Sequence, residues 1–79
     1  MKVVISRLSG ENKVRIIVDD KYVYMTEKVR VYEKGYLLFT EKDIPPLLAY
    51  DVLKVVIERN KEDPDTLEVY LGYLVSCDE

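Results

Sequence analysis

Short segments in which apolar and polar residues alternate recur in the first half of the chain, and they constrain the fold more than any other feature. The clearest of these segments is Lys13–Val18. Successive side chains of a β-strand point to opposite sides, so this segment presents one purely aliphatic face, made of Val14, Ile16 and Val18. The opposite face carries Lys13, Arg15 and Ile17, and this alternation over six residues predicts a half-buried strand.

Clusters of turn-forming residues separate this segment from its neighbours. Residues 9–12 precede it, Asp19 and Asp20 follow it, and residues 33–35 form a third cluster. Alternating segments joined by short turns predict a meander of antiparallel strands. The predicted strands are Lys2–Leu8, Lys13–Val18, Tyr22–Thr26, Val29–Tyr32 and Tyr36–Thr40, with a final strand over Thr66–Ser76. Residues 21–32 could instead form one long bent strand.

The segment after residue 45 has a different periodicity. From Pro46 to about Asn60 the aliphatic residues recur at helical spacing, and the charged residues fall on the opposite side. Pro45 and Pro46 suit the first turn of a helix, and Pro64 suits its stop. We predict one α-helix over about residues 45–60. Its core face would comprise Ala49, Val52, Leu53, Val56 and Ile57.

These elements together predict one α+β domain over residues 1–79, with an antiparallel meander of five to six strands and one packed helix. The element order is β-β-β-β(-β)-α-β. A single helix covers only one face of such a sheet, and antiparallel sheets tolerate water on the other face. We expect the helix to cover the aliphatic face, which includes Val14, Ile16, Val18, Val23 and Met25.

The face opposite the helix is the predicted interaction surface. Its tyrosines and arginines belong to the residue types that are enriched at protein interfaces, and they also stack on nucleobases and pair with phosphates. The same residues also suit a half-wet sheet without any partner, because tyrosine favours strands and stabilises neighbouring arginines by cation–π contact. The predicted surface comprises Arg15, Tyr22, Tyr24, Arg30, Tyr32 and Tyr70.

Residues 34–39 resemble part of the RNA-recognition-motif signature at Lys34, Gly35 and Tyr36. Leu37 stands where that family has glycine or alanine, and Leu38 stands where it has a stacking aromatic residue. The family also needs a helix between its first two strands, where this chain has a four-residue turn. We therefore do not assign the chain to the family, and we predict a hairpin turn with Gly35 in a left-handed conformation.

The chain contains no histidine, which excludes Ser–His–acid and Cys–His nucleophiles and zinc sites with histidine ligands. Cys77 has no base to form its thiolate. The carboxylates of residues 62–65 lack the ligand spacing and the glycine of a calcium loop, so we interpret them as a solvated loop. We predict a protein that is not an enzyme and that needs no cofactor or metal.

Charge and composition indicate which partners, which cellular compartment and which source organism suit the chain. A net charge of −3 argues against a strongly basic nucleic-acid binder, although a local basic patch stays open. A single cysteine fits a reducing cytoplasm, and no segment has the roughly 18 apolar residues of a membrane helix. Arg7 interrupts the short apolar start, so we expect no signal peptide. Abundant Lys and Glu without glutamine is typical of thermophiles and suggests an archaeal or viral source.

The sequence therefore predicts a small protein-interaction module, a homodimer or an accessory subunit. It would bind through the tyrosine–arginine face or through an unpaired edge strand. Self-association is expected because so short a chain buries only about 60% of its unfolded surface. The alternative is a nucleic-acid or ribonucleoprotein-associated domain that lays the same side chains on RNA or single-stranded DNA.

Overall fold

The computed structural model describes residues 1–8, 10 and 12–76. Within this range the chain forms strands joined by turns, and a short 3₁₀ turn, Glu41–Asp43, lies before the sixth strand. The strands are β1 Lys2–Leu8, β2 Lys13–Val18, β3 Tyr22–Thr26, β4 Lys28–Glu33, β5 Tyr36–Thr40, β6 Leu47–Val52, β7 Val55–Arg59, β8 Thr66–Leu71 and β9 Leu74–Ser76.

The strands are divided between two sheets. Sheet A has the order β3-β2-β1-β6-β9, and sheet B has the order β5-β4-β8-β7. Neighbouring strands run antiparallel except β4 and β8, which run parallel. A parallel pair needs a long connection, and here the connection runs through sheet A and back. The chain crosses between the sheets after β3, β5, β6 and β8.

One aliphatic core lies between the two sheets. Except for Ile44, which precedes β6, its members come from the inward faces of central strands, where alternation places β-branched side chains that pack well on a pleated surface. The buried cluster comprises Val3, Ile5, Val14, Ile16, Val18, Val29, Val31, Ile44, Val52, Leu67, Val69 and Leu71.

Polar side chains fix the segments that cross between the sheets. The Thr26 hydroxyl, at the end of β3, lies 2.6 Å from the carbonyl oxygen of Asp65 and 2.8 Å from that of Lys28. Arg7 donates from Nη2 to the carbonyl of Ile44 at 2.6 Å, which ties β1 to the connection before β6. These bonds tie together the ends of the crossing segments, and the Asp65 carbonyl also accepts the backbone N–H of Lys28, at 3.1 Å.

The strands of the first half lie where alternation predicts them. β3 and β4 are separate strands, however, and belong to different sheets, because the chain crosses over at Glu27. The meander is therefore correct for β1 to β3 and for the β4–β5 hairpin only. Gly35 has a φ of +83°, as predicted for that hairpin turn. The predicted final strand divides at Gly72 and Tyr73 into β8 and β9.

The helix predicted over residues 45–60 is wrong, and so is the α+β class. Residues 47–59 form β6 and β7 instead, and the described chain is nearly all β. Short apolar runs fit both periodicities, and Val52, Val55, Val56 and Ile57 are β-branched residues that favour strands. The second sheet, not a helix, covers the inner face of the first. No helix in the described residues is long and apolar enough to cross a membrane.

Candidate functional site

The structure divides the predicted tyrosine–arginine surface among separate places. Arg30, Tyr32 and Tyr70 lie together on the outer face of sheet B, since they alternate with the buried residues of β4 and β8. Arg15 alternates with buried residues of β2 and lies on the outer face of sheet A. Arg15 and the sheet B group are therefore on opposite faces of the sandwich.

Tyr22 and Tyr24 lie on the inner side of edge strand β3. Their register partners are the buried residues Val18 and Ile16, and Tyr24 packs against the core. Val23 therefore faces outward, as does Met25, contrary to the prediction for both. In the pattern Tyr-Val-Tyr-Met, alternation alone does not tell whether the two tyrosines or Val23 and Met25 face the core. Tyrosine is accepted at the sheet edge because its ring packs there while its hydroxyl reaches water.

Glu68 links the residues on the outer face of sheet B, where its side chain is nearly buried, with 9% of the residue exposed. Its Oε2 accepts a hydrogen bond from Asn60 Nδ2 at 2.8 Å and another from Arg30 Nη1 at 3.2 Å. Its Oε1 accepts one from the Tyr70 hydroxyl at 3.1 Å. These hydrogen bonds lower the pKa of Glu68 in spite of its burial, and the bond from Asn60 has the largest effect. The carboxylate is thus ionised at neutral pH.

Tyr32 and Tyr70 lie side by side on the parallel strands β4 and β8, where they are register partners. Their rings stack, with centroids 5.1 Å apart and planes 13° from parallel. The bond that Tyr70 donates to Glu68 raises the pKa of the tyrosine. The polar groups of this cluster are directed mainly at one another, so the cluster strengthens the pairing of β4 with β8. The pattern of one strand could not reveal this, because the partners come from two strands and a turn.

A shallow, open depression lies beside the stacked tyrosines. It has a volume of about 270 Å³, and its lining includes Tyr32, Tyr70 and Val56 together with two lysines, Lys34 and Lys54. The Lys34 ammonium also lies 5.3 Å from the ring centroid of Tyr73. Aromatic faces next to ammonium groups suit a ligand that combines a planar ring with negative charge.

The acidic residues after β7 serve the turn that leads into β8. Asp63 accepts hydrogen bonds from Lys28 Nζ at 3.2 Å and from the Thr66 hydroxyl at 3.0 Å. These hydrogen bonds lower the pKa of Asp63, and the bond from Lys28 has the largest effect. No group of three candidate metal-binding side chains is found among the described residues. Cys77 lies outside the described residues.

The outer face of sheet A carries a strip of aliphatic side chains that crosses four strands. The register pairs Val23 with Ile17, Ile17 with Val4, and Val4 with Ala49. Val23, at the sheet edge, is 56% exposed, and the other three are half-buried. We call these four residues the apolar strip. The sequence pattern did not single it out, because it appears only when four strands lie side by side.

A second row beside the apolar strip extends this surface. In the order of the strands it consists of Met25, Arg15, Ser6 and Leu47. Met25 is 41% exposed and Leu47 is 56% exposed, whereas the small Ser6 is buried between its neighbours. The central surface of sheet A is thus apolar apart from one arginine and one serine.

Charged residues of alternating sign lie at one end of this face. Lys21 and Asp19 belong to the turn between β2 and β3, Lys2 to β1 and Asp51 to β6, and all four are exposed. Lys2 and Asp51 are register partners in β1 and β6. Asp19 donates its backbone N–H to the Lys2 carbonyl, and its Oδ1 accepts the Lys2 backbone N–H at 2.8 Å. Lys21 closes the turn by donating to the carbonyl of Val18. We call these four residues the charged row.

Comparison of the chain with protein-family models, with curated proteins and with solved structures finds no match. The geometry of the two outer faces is therefore the basis on which a function can be inferred.

Proposed function

We propose that the chain is a non-enzymatic protein-interaction module and that the outer face of sheet A is its contact surface. The supporting observation is the apolar strip with Met25 and Leu47 beside it. Each Å² of apolar surface removed from water contributes about 25 cal/mol, so covering this face is favourable. Contiguous apolar patches of this kind on small soluble proteins mark contact sites. The partner must present a flat protein surface that is apolar at its centre.

The tyrosine–arginine cluster on sheet B suits this role less well. Arg30 and Tyr70 already bond to Glu68, and the rings of Tyr32 and Tyr70 are stacked on each other. A protein partner would gain little by competing for these groups. Arg15 is the predicted interaction residue that does lie on the proposed contact surface, and arginine is enriched at interfaces.

Site-specific photo-crosslinking tests the contact surface whatever the partner is. A benzoylphenylalanine replaces Val23, and the labelled chain is irradiated in an extract of its source cells. The matched control carries the same group in place of Glu58, which is exposed on the outer face of sheet B. We expect one adduct from position 23 that mass spectrometry identifies and that unlabelled chain competes away. Equal labelling from both positions, or no adduct from position 23, would contradict the proposal.

Nucleic-acid binding is a second candidate, which the depression on sheet B favours. Tyr32 and Tyr70 offer ring faces there, and Lys34 and Lys54 offer positive charge. Such binding should weaken steeply with added salt. Fluorescence anisotropy with labelled single-stranded DNA and RNA tests it: Lys54→Glu should weaken binding, whereas Lys61→Glu, in the turn after β7, should not. An anisotropy that stays constant at low salt would exclude this candidate.

A further inference from the structure

We infer that the partner of the outer face of sheet A is a second copy of this chain, related by a two-fold axis that runs parallel to the strands between β1 and β2. The inference rests on the proposed function and names the partner of the same surface. A symmetric dimer uses one patch on both copies, so that patch must be complementary to itself.

The apolar strip meets this requirement. The proposed axis lays β2 on β1 of the second copy, and β3 on its β6. Ile17 then faces the partner's Val4, and Val23 faces the partner's Ala49. Every contact in this row joins two aliphatic side chains, and the larger edge residue meets the smaller one.

The second row is complementary in size. Met25 faces the partner's Leu47, and Arg15 faces the partner's Ser6. The long arginine thus meets the smallest side chain of the row, and its stem can lie along the apolar surface while its guanidinium reaches the rim. Met25 is the register partner of Arg15, and Glu27, two residues further along the chain, lies at that rim.

The charged row selects the position of the axis. With the axis between β1 and β2, Lys21 faces the partner's Asp51, and this pairing of opposite charges occurs twice by symmetry. The Asp19 carboxylate is held by the Lys2 backbone N–H of its own chain and takes no part in this choice. An axis that ran over β1 would instead set Lys2 against the partner's Lys2. Like charges in an interface disfavour that arrangement.

The size of the face indicates how strong the dimer is. Four strands about 4.8 Å apart, with side chains in three rows about 6.7 Å apart, make a patch of about 400 Å². A stable interface of standard size buries about 800 Å² on each partner. The face is about half that size, so we expect a weak dimer that forms as concentration rises.

Two charge reversals test the arrangement, because they should be defective alone and complementary together. Lys21→Glu places a carboxylate against the partner's Asp51, and Asp51→Lys places an ammonium against the partner's Lys21. Each homodimer then holds two like-charge contacts. In an equimolar mixture, both contacts of the heterodimer join opposite charges. Both positions are exposed, and the contact of Asp51 with the N-terminal ammonium, at 3.6 Å, is also exposed, so folding should be unaffected.

Sedimentation equilibrium gives the readout. We expect the wild-type chain to dimerise with rising concentration, each variant to have a dissociation constant raised about tenfold or more, and the mixture to recover the wild-type value. Lys61→Glu and Glu62→Lys make the same charge changes in the turn after β7 and should leave the constant unchanged. Circular dichroism of each variant verifies its fold.

Three results would overturn the inference. A wild-type chain that stays monomeric at millimolar concentration would exclude a second copy as the partner, while an adduct of position 23 with another protein would leave the proposed function standing. A mixture that remains as defective as its components would exclude the axis between β1 and β2. An axis perpendicular to the strands would face Lys21 to the partner's Glu27, and would show as a defect in Lys21→Glu but none in Asp51→Lys.

Discussion

Glu68 is the side chain on which the outer face of sheet B depends. It accepts hydrogen bonds from Arg30, Asn60 and Tyr70, which belong to β4, to the turn after β7 and to β8. Alternation in Thr66–Leu71 predicts that Glu68 points away from the core. It does not predict burial, because the groups that cover the carboxylate are distant in sequence. The burial of Glu68 therefore follows from the order of the strands and not from local pattern.

Removing the charge of Glu68 should destabilise the protein. In Glu68→Gln the side-chain amide would face donors that previously met a carboxylate, so hydrogen bonds to Arg30 and Asn60 would weaken. We expect a loss of about 1–3 kcal/mol in the free energy of unfolding, measured by urea denaturation. Glu58→Gln, on the exposed neighbouring position of β7, should change it by less than about 0.5 kcal/mol. Equal effects of the two substitutions would contradict the role given to Glu68.

The pKa of Glu68 predicts how stability depends on pH. It is lowered from the ordinary value of 4.5, so below that pH the unfolded chain takes up a proton more readily than the folded chain. The stabilisation is therefore complete above about pH 4.5 and is lost as the pH falls through the lowered pKa. Urea denaturation between pH 6 and pH 3, a range of about three units chosen to bracket this value, should show a shallower decline for Glu68→Gln than for wild type. Parallel declines would contradict the assignment.

Thr26 shows how single elements are held where the chain changes sheets. Its side chain is buried, with 5% of the residue exposed, and its hydroxyl contacts the carbonyls of Lys28 and Asp65. Thr26→Val keeps the shape but removes the hydroxyl, so the Lys28 carbonyl loses this donor and the Asp65 carbonyl keeps only the Lys28 N–H. We expect a loss of about 1–3 kcal/mol in the free energy of unfolding, measured by thermal and urea denaturation. A variant as stable as wild type would show that the hydroxyl does not fix the crossing.

The elements themselves divide into those that local pattern predicts and those that it does not. β1, β2 and β3 are readable because each alternates and is bounded by turn residues. Local pattern does not predict the structure of residues 47–59. Leu48, Tyr50 and Val52 fit one face of a strand, whereas other apolar residues in the segment fit one face of a helix. Pro45 and Pro46, interpreted as a helix start, precede β6 instead. Strand pairing decides between helix and strand for these residues, because β6 pairs with β1 and β7 pairs with β8.

At the scale of the whole molecule, replacing the helix by a second sheet changes which surface is available for binding. In the predicted fold the helix would leave one sheet face open, the tyrosine–arginine face. In the sandwich two outer faces are open: Arg15 lies on one, the sheet B group lies on the other, and Tyr22 and Tyr24 lie on the inner side of β3. The apolar strip requires the order β3-β2-β1-β6, and β6 was not recognised as a strand. A contact surface assembled from four strands cannot be read from any one of them.

The most direct test of the central claim is the self-association of one edge variant, Val23→Asp. Val23 is exposed on β3, so a carboxylate there should spare the fold but should be costly in an apolar dimer interface. The matched control is Val56→Asp, which is also exposed but lies on the outer face of sheet B. In sedimentation equilibrium we expect wild type and Val56→Asp to dimerise alike and Val23→Asp to stay monomeric. A wild-type monomer throughout the range, or a Val23→Asp variant that dimerises as wild type does, would contradict the account.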